Sequence, residues 1–136
     1  QELLDAMKKH GVRMAVATGK SRRGLNRVFE KTGIGAYFEA TRTADECFSK
    51  PNPQMLEEIF LETGVDPADA VMIGDTVHDL QLAANAHCDG IGMTYGAGSR
   101  EELEAVPHRA VVNNVDELAD VLGLGAILQE ELAKQK

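Results

Sequence analysis

Short apolar runs alternate with longer amphipathic segments along most of the chain. Apolar side chains in residues 53–63 recur at helical spacing, and Gly64 follows as a stop signal. Residues 71–73, by contrast, are a compact apolar run that fits a buried strand. Strands that alternate with helices in this way predict an α/β fold, with a parallel sheet flanked by helices.

The pattern gives an order of elements. The predicted helices cover residues 1–10, 21–31, 53–63, 77–87, 99–105, 115–122 and 126–133, and the predicted strands cover residues 12–17, 37–41, 71–73, 90–94 and 110–112. Ser21 is a candidate N-cap, and Gly11 and Gly33 are candidate helix stops. No repeat or linker divides the sequence, so residues 1–136 are expected to form one domain.

Composition and charge restrict the class of function. The 136 residues are 43% hydrophobic, which fits one soluble domain. A net charge of −8 repels phosphate backbones and anionic lipids, so neither nucleic acid nor a membrane is expected as a partner. The longest nearly uninterrupted apolar run, 121–128, is too short for a bilayer. Cys47 and Cys88 lack zinc-site spacing and are expected to be free, buried thiols in the cytoplasm.

Two carboxylates after a predicted strand are the strongest candidates for chemistry. Asp75 follows Gly74, and Asp79 lies about one helical turn further on. Because Mg²⁺ prefers oxygen ligands and commonly takes one or two protein carboxylates, this spacing predicts a magnesium site. The alternative is that both acids only stabilise a helix N-terminus. The position of these acids directly after a strand and a glycine favours metal binding over the helix-stabilising role.

Two other segments offer groups that bind anions. Thr18 and Gly19 close the strand 12–17 before a helix, where a hydroxyl and free N–H groups suit an anion, although an ordinary turn has the same pattern. Lys50 precedes Pro51, which restricts its backbone to an extended geometry. A solvated loop lysine is the alternative, and the isomer of the Lys50–Pro51 bond stays open. Thr18 and Asp75 are expected in one crevice at the carboxyl ends of parallel strands.

Taken in order, "VATGK", "SKPNP" and "VMIGDTVHD" resemble motifs II, III and IV of the haloacid dehalogenase (HAD) superfamily of phosphatases. The segments "TGIGAYFEA" and "GIGMTYGAGSREEL" are similar to its phosphoglycolate-phosphatase-like branch, so the resemblance covers nearly the whole chain. It implies a Rossmann-like HAD fold. It also implies Mg²⁺-dependent hydrolysis of small phosphorylated metabolites through an aspartyl-phosphate.

The resemblance implies a role for each motif residue. Thr18 would hydrogen-bond the transferring phosphoryl group, and Lys50 would neutralise its charge and steady the nucleophile. Asp75 would ligate Mg²⁺. Asp79 would either ligate it through water or hold the metal ligands in position without contacting the ion. Gly19 and Thr76 would support the two loops. Such positioning suits phosphoryl transfer, in which charge is spread over the phosphoryl oxygens.

The family's first motif does not occur in these residues. HAD phosphatases carry Asp-x-Asp at the end of the central first strand, where one Asp attacks phosphorus and the other is the general acid/base. No Asp-x-Asp is present here, and the family's cap domain is also missing. We therefore interpret residues 1–136 as a partial core, a fragment inactive alone. In the family sheet the missing strand lies between those ending at Thr18 and Gly74, so unpaired edges and self-association are expected.

Two other functions fit parts of the pattern. A receiver-type phosphoacceptor domain also places carboxylates, Thr and Lys at the end of a parallel sheet, but its acidic residues come first. Here Thr18 and Lys50 precede Asp75. A non-catalytic regulatory or scaffold relative explains the missing Asp-x-Asp, but it leaves the other motif residues without a purpose. The particular phosphate ester stays open.

Overall fold

The computed structural model describes residues 2–94 and 98–123, and it confirms the alternation of helices and strands. The helices are α1 (Glu2–Lys9), α2 (Arg22–Thr32), α3 (Gln54–Thr63), α4 (Val77–Asn85), α5 (Arg100–Glu104) and α6 (Val115–Val121), with 3-10 helices at Ile34–Tyr37 and Pro67–Asp69. The strands are β1 (Ala15–Ala17), β2 (Ala40–Arg42), β3 (Val71–Gly74), β4 (Asp89–Met93) and β5 (Ala110–Val112). The predicted helix 126–133 lies outside the described residues.

Three element boundaries differ from the prediction by two residues or more. The first strand begins at Ala15 instead of residue 12, because the Val12 N–H still bonds the Met7 carbonyl in the turn after α1. The strand predicted at 37–41 is β2 and begins at Ala40, because the residues before it form a 3-10 helix. Helix α4 ends at Asn85 instead of residue 87, because His87 adopts a left-handed conformation with φ 64°.

The strands form two parallel sheets. One pairs β1 with β2, with Ala15 opposite Ala40. The other has the order β3–β4–β5, with Val71 opposite Asp89 and Ile91 opposite Ala110. Within the described residues, no ladder of hydrogen bonds joins β1 to β3. The two sheets are therefore separate within this part of the chain.

Packed helices hold the two sheets together. Leu56 and Ile59 of α3 form one buried cluster with Leu82 of α4, with Ala86 just after that helix and with Ala40 of β2. A second contact joins Met7 of α1 to Ala119 of α6. Because α3 lies beside β1 and β2 while α4 packs on β3 and β4, apolar burial between helices replaces direct strand pairing.

The cysteines differ from the prediction in one respect. Cys47 and Cys88 are free, as expected, but each is only partly buried. The Sγ of Cys47 lies 3.7 Å from a carboxylate oxygen of Glu58, at the polar edge of α3. In the ranges 2–94 and 98–123, none of the helices combines the length and apolar character needed to traverse a bilayer.

Candidate functional site

The carboxyl ends of β1 and β3 open onto a cleft of about 260 Å³ between the two sheets. The lining residues are Ala17, Thr18, Lys50, Met72, Ile73, Gly74, Asp75, Asp79 and Met93. The structure therefore brings together four of the residues singled out in the sequence, from three separate motifs. Gly19 follows Thr18 directly but is not part of the lining.

The junction between β3 and α4 holds the Asp79 side chain in place. One Asp79 oxygen, Oδ2, accepts hydrogen bonds from the Asp75 N–H and from the Thr76 hydroxyl, each at 3.2 Å. Thr76 is also the N-cap of α4, since its Oγ1 accepts the Asp79 N–H at 3.3 Å. A Cβ on Gly74 would overlap both the Cβ and the carboxyl group of Asp79. The tight Gly-Asp turn is thus a steric requirement for burying this carboxylate.

Lys50 is an internal partner of Asp79 instead of a solvated loop lysine. Its ammonium forms an ion pair with Asp79 Oδ1, and only 17% of the Lys50 side chain and 8% of the Asp79 side chain are exposed. The peptide bond between Lys50 and Pro51 is cis. This ion pair links the loop before α3 to the first turn of α4 and places positive charge at the cleft.

Asp75 is the carboxylate best placed to take a metal ion. Its backbone carbonyl accepts the Gly98 N–H at 2.8 Å, but within the described residues no hydrogen bond or ion pair engages its carboxylate. Asp79, by contrast, is already bound to Lys50. No group of three or more His, Cys, Asp or Glu side chains converges within this part of the chain. A donor set this small fits Mg²⁺, which keeps several of its waters.

The loop after β1 presents Thr18 to the cleft. The Thr18 N–H donates to the Arg42 carbonyl at 3.1 Å, and its Oγ1 accepts the Lys20 N–H at 3.1 Å, so the hydroxyl hydrogen is available to a ligand. The predicted anion site at the start of α2 is partly filled, because Ser21 Oγ and an Asp45 carboxylate oxygen already accept N–H groups of the first turn. The Gly19 N–H makes no hydrogen bond within the described ranges and stays available.

A polar cluster that the sequence did not reveal fixes this loop. The Arg22 guanidinium donates to Thr41 Oγ1 at 2.8 Å and to Glu46 at 2.7 Å. Fully buried Thr43 donates to Asp45 at 2.5 Å. The hydrogen bond from Arg22 lowers the pKa of Glu46 to about 2. In the sequence these residues resemble ordinary polar and charged surface residues, and their spacing does not indicate that they interact. They fix the start of α2 to the segment after β2.

Comparisons with known proteins place the chain in one family. Residues 1–93 match the model of the haloacid dehalogenase-like hydrolases. The pyrophosphatase PpaX of Bacillus velezensis is 30% identical over 90% of this chain and 57% of its own length. A phosphoglycolate phosphatase of Vibrio parahaemolyticus is 30% identical over 93% of this chain and 56% of its own.

Solved structures agree with the sequence relatives. A predicted phosphatase from Clostridium acetobutylicum has a TM-score of 0.81 and 31% identity, over 88% of this chain and 56% of its own. The chain thus spans about half the length of the relatives it matches. Its motifs meet in one cleft, its fold is that of these phosphatases, and the family model covers most of its residues, so the chain belongs to the haloacid dehalogenase-like hydrolases.

Proposed function

We propose that this chain supplies the phosphate-binding and metal-binding side of a Mg²⁺-dependent phosphatase for small phosphate monoesters. The observation that carries the proposal is the convergence of Thr18, Lys50 and Asp75 on one cleft. A hydroxyl, a cation and a carboxylate that is unengaged within the described residues are complementary to a phosphoryl group and its metal. The pyrophosphatase and phosphoglycolate phosphatase relatives support this substrate class.

Each residue has a distinct part in the proposed reaction. The Thr18 hydroxyl and the Gly19 N–H donate hydrogen bonds to phosphoryl oxygens, and Lys50 offsets the negative charge that the phosphoryl group carries. Asp75 would hold Mg²⁺, and Asp79, which is bound to Lys50, would be the second carboxylate beside the ion. When bound, Mg²⁺ polarises a phosphoryl oxygen and withdraws charge from it.

The attacking carboxylate is not among these residues. Asp75 and Asp79 are the only carboxylates that line the cleft in the described part of the chain, and neither belongs to an Asp-x-Asp. We infer that the nucleophile comes from polypeptide outside these 136 residues. The purified chain should therefore not hydrolyse p-nitrophenyl phosphate with Mg²⁺. Robust turnover would refute this inference, and a full-length relative serves as the positive control.

Ligand binding can be tested without turnover. Orthophosphate with Mg²⁺ should shift the amide NMR signals of Gly19 and Asp75 in the isotope-labelled chain, and Lys50→Met should abolish the shifts. Lys31→Met is the matched control, because Lys31 is an exposed lysine at the far end of α2. Equal shifts in the wild type and Lys50→Met would contradict the site.

A non-catalytic regulatory or scaffold protein is the second candidate, favoured by the absence of Asp-x-Asp. The coding DNA upstream of Gln1 separates the two. An in-frame strand ending in Asp-x-Asp supports the phosphatase, and a strand position without Asp supports the regulatory protein.

We also propose that the isolated chain self-associates. The edges of β1 and β3 that face the cleft have no strand partner within the described residues, and unpaired edges recruit further strands. Sedimentation should show dimers or larger species, and a strictly monomeric chain would contradict the proposal.

A cytoplasmic location is proposed as well, supported by the two unpaired cysteines.

A further inference from the structure

The loop that carries Lys50 is attached to α4 at a second point. The Asn85 side-chain amide donates to the Pro51 carbonyl at 2.9 Å, while the Lys50 ammonium binds Asp79 near the other end of the same helix. At 1.5 Å per residue, Asp79 and Asn85 lie about 9 Å apart along the helix axis. Two consecutive loop residues are therefore held by one helix at two separated points.

Helix α4 is a fixed support for both contacts. Leu80, Leu82 and Ala83 on this helix are almost completely buried, and α4 packs against β3 and β4. Side chains at its two ends therefore keep a constant separation and direction relative to the cleft.

The loop itself has little else to locate it. Phe48 is 71% exposed, and its N–H donates to the side-chain oxygen of Gln54 at the start of α3. The Asn52 N–H bonds to the Ser49 carbonyl, inside the loop. These bonds shape the loop but do not place it against the second sheet. In the described residues, the hydrogen bonds from this loop to α4 are those of Lys50 and Pro51.

We propose that Asn85 is a positioning residue for Lys50. By holding the Pro51 carbonyl, its amide presents the neighbouring ammonium to Asp79 and to the cleft. Asn85 does not line the cleft, so it acts through the loop and not on a ligand. The functional value of this positioning rests on the proposed role of Lys50 in phosphate binding, but the positioning itself can be measured separately.

Competitive acetylation of lysines followed by mass spectrometry tests the proposal on the chain as it exists. A lysine held in an ion pair acetylates slowly, and exposed Lys31 is the internal reference. Asn85→Asp keeps the side-chain shape but removes the donor, and Asn85→Ala removes the whole amide. Each should raise the rate at Lys50 relative to Lys31 about fivefold, the population change typical of one neutral hydrogen bond. Asp79→Asn sets the upper limit, because it removes the charge that holds the ammonium.

Gln81→Glu is the matched control for the charge introduced by Asn85→Asp. Gln81 lies one turn earlier on α4, and its amide makes no hydrogen bond within the described residues, so the Lys50 rate should stay at the wild-type value. Circular dichroism checks that each variant is folded. The proposal is overturned if both Asn85 variants keep the wild-type rate, if Gln81→Glu raises it equally, or if Asp79→Asn has no effect. Failure of phosphate binding, by contrast, would refute the proposed function and leave these rates unchanged.

Discussion

Replacing Gly74 with alanine is expected to dislodge Asp79 and weaken the whole domain. The new Cβ would overlap the Asp79 carboxyl and also its Cβ. Because the Cβ moves only with the backbone, rotation of the side chain cannot relieve the clash. The first turn of α4 must shift, and with it the partners of Asp79, namely Lys50 and the hydroxyl of Thr76.

The expected loss follows from two effects. Overpacking a tight contact typically costs about 1–3 kcal/mol. Asp79 and Lys50 are 8% and 17% exposed, so solvent replaces little of the ion pair that is disturbed, and breaking a buried pair outright costs about 3–5 kcal/mol. Because the shifted pair keeps part of its contact, we expect Gly74→Ala to lower the free energy of unfolding by about 3 kcal/mol. Single domains have only about 5–15 kcal/mol in total, so this loss is large.

Urea unfolding followed by far-UV circular dichroism measures the difference, with all variants at one protein concentration. Gly19→Ala is the matched control, since a Cβ at Gly19 meets no atom of the described residues within 4 Å. This control should be as stable as the wild type or up to about 1 kcal/mol more stable. A Gly74→Ala protein with wild-type stability would refute the steric argument, and so would an equal loss in Gly19→Ala.

Three further predictions concern other parts of the molecule. His87→Gly should raise the free energy of unfolding by about 1 kcal/mol, and the melting temperature by about 4 °C, because His87 has φ 64° in the turn that ends α4. His87→Ala should bring no such gain. Arg22 lowers the pKa of Glu46 from 4.5 to about 2, so the stability that this carboxylate contributes is present above pH 4.5 and is lost as the pH falls towards 2. Glu46→Gln should flatten that part of a plot of unfolding free energy against pH, and an unchanged plot would contradict this. Burial raises the pKa of Cys88 to about 11, so at pH 8 its thiolate fraction should be about a hundredfold lower than that of free cysteine. Alkylation of Cys88 by iodoacetamide should be correspondingly slow, and rapid alkylation would disprove the prediction.

Local signals predicted the helices well. Ser21 caps α2 through the Gly24 N–H, and Gly33 ends the helix in the left-handed conformation expected of a glycine stop. Gly64 ends α3 in the same way. These signals depend on neighbouring residues, so the sequence contains all of the information. The strand 110–112 was also predicted as observed, because a short apolar run between polar segments leaves few alternatives.

Contacts between distant segments were beyond sequence reasoning. The positions of the predicted strand ends indicated that Thr18 and Asp75 share a crevice, and both residues line the cleft. Neither the strand ends nor the motifs predicted that Lys50 binds Asp79. This contact depends on the conformation of the loop that carries Lys50, and not on a fixed spacing along one helix. The contact between Asn85 and Pro51 is of the same kind, since an exposed asparagine has no signature that separates it from other surface amides.

The separation of the two sheets has a consequence for how the chain folds. Each strand pair joins strands that are consecutive in the chain, β1 with β2, β3 with β4 and β4 with β5, so each pair closes only one intervening segment. Closing one such segment costs less chain entropy than pairing strands from distant parts of the chain would. Each sheet can therefore form from its own stretch of sequence as the polypeptide is synthesised. Docking of α3 on α4 then buries Leu56 and Ile59 against Leu82 and brings Lys50 to Asp79.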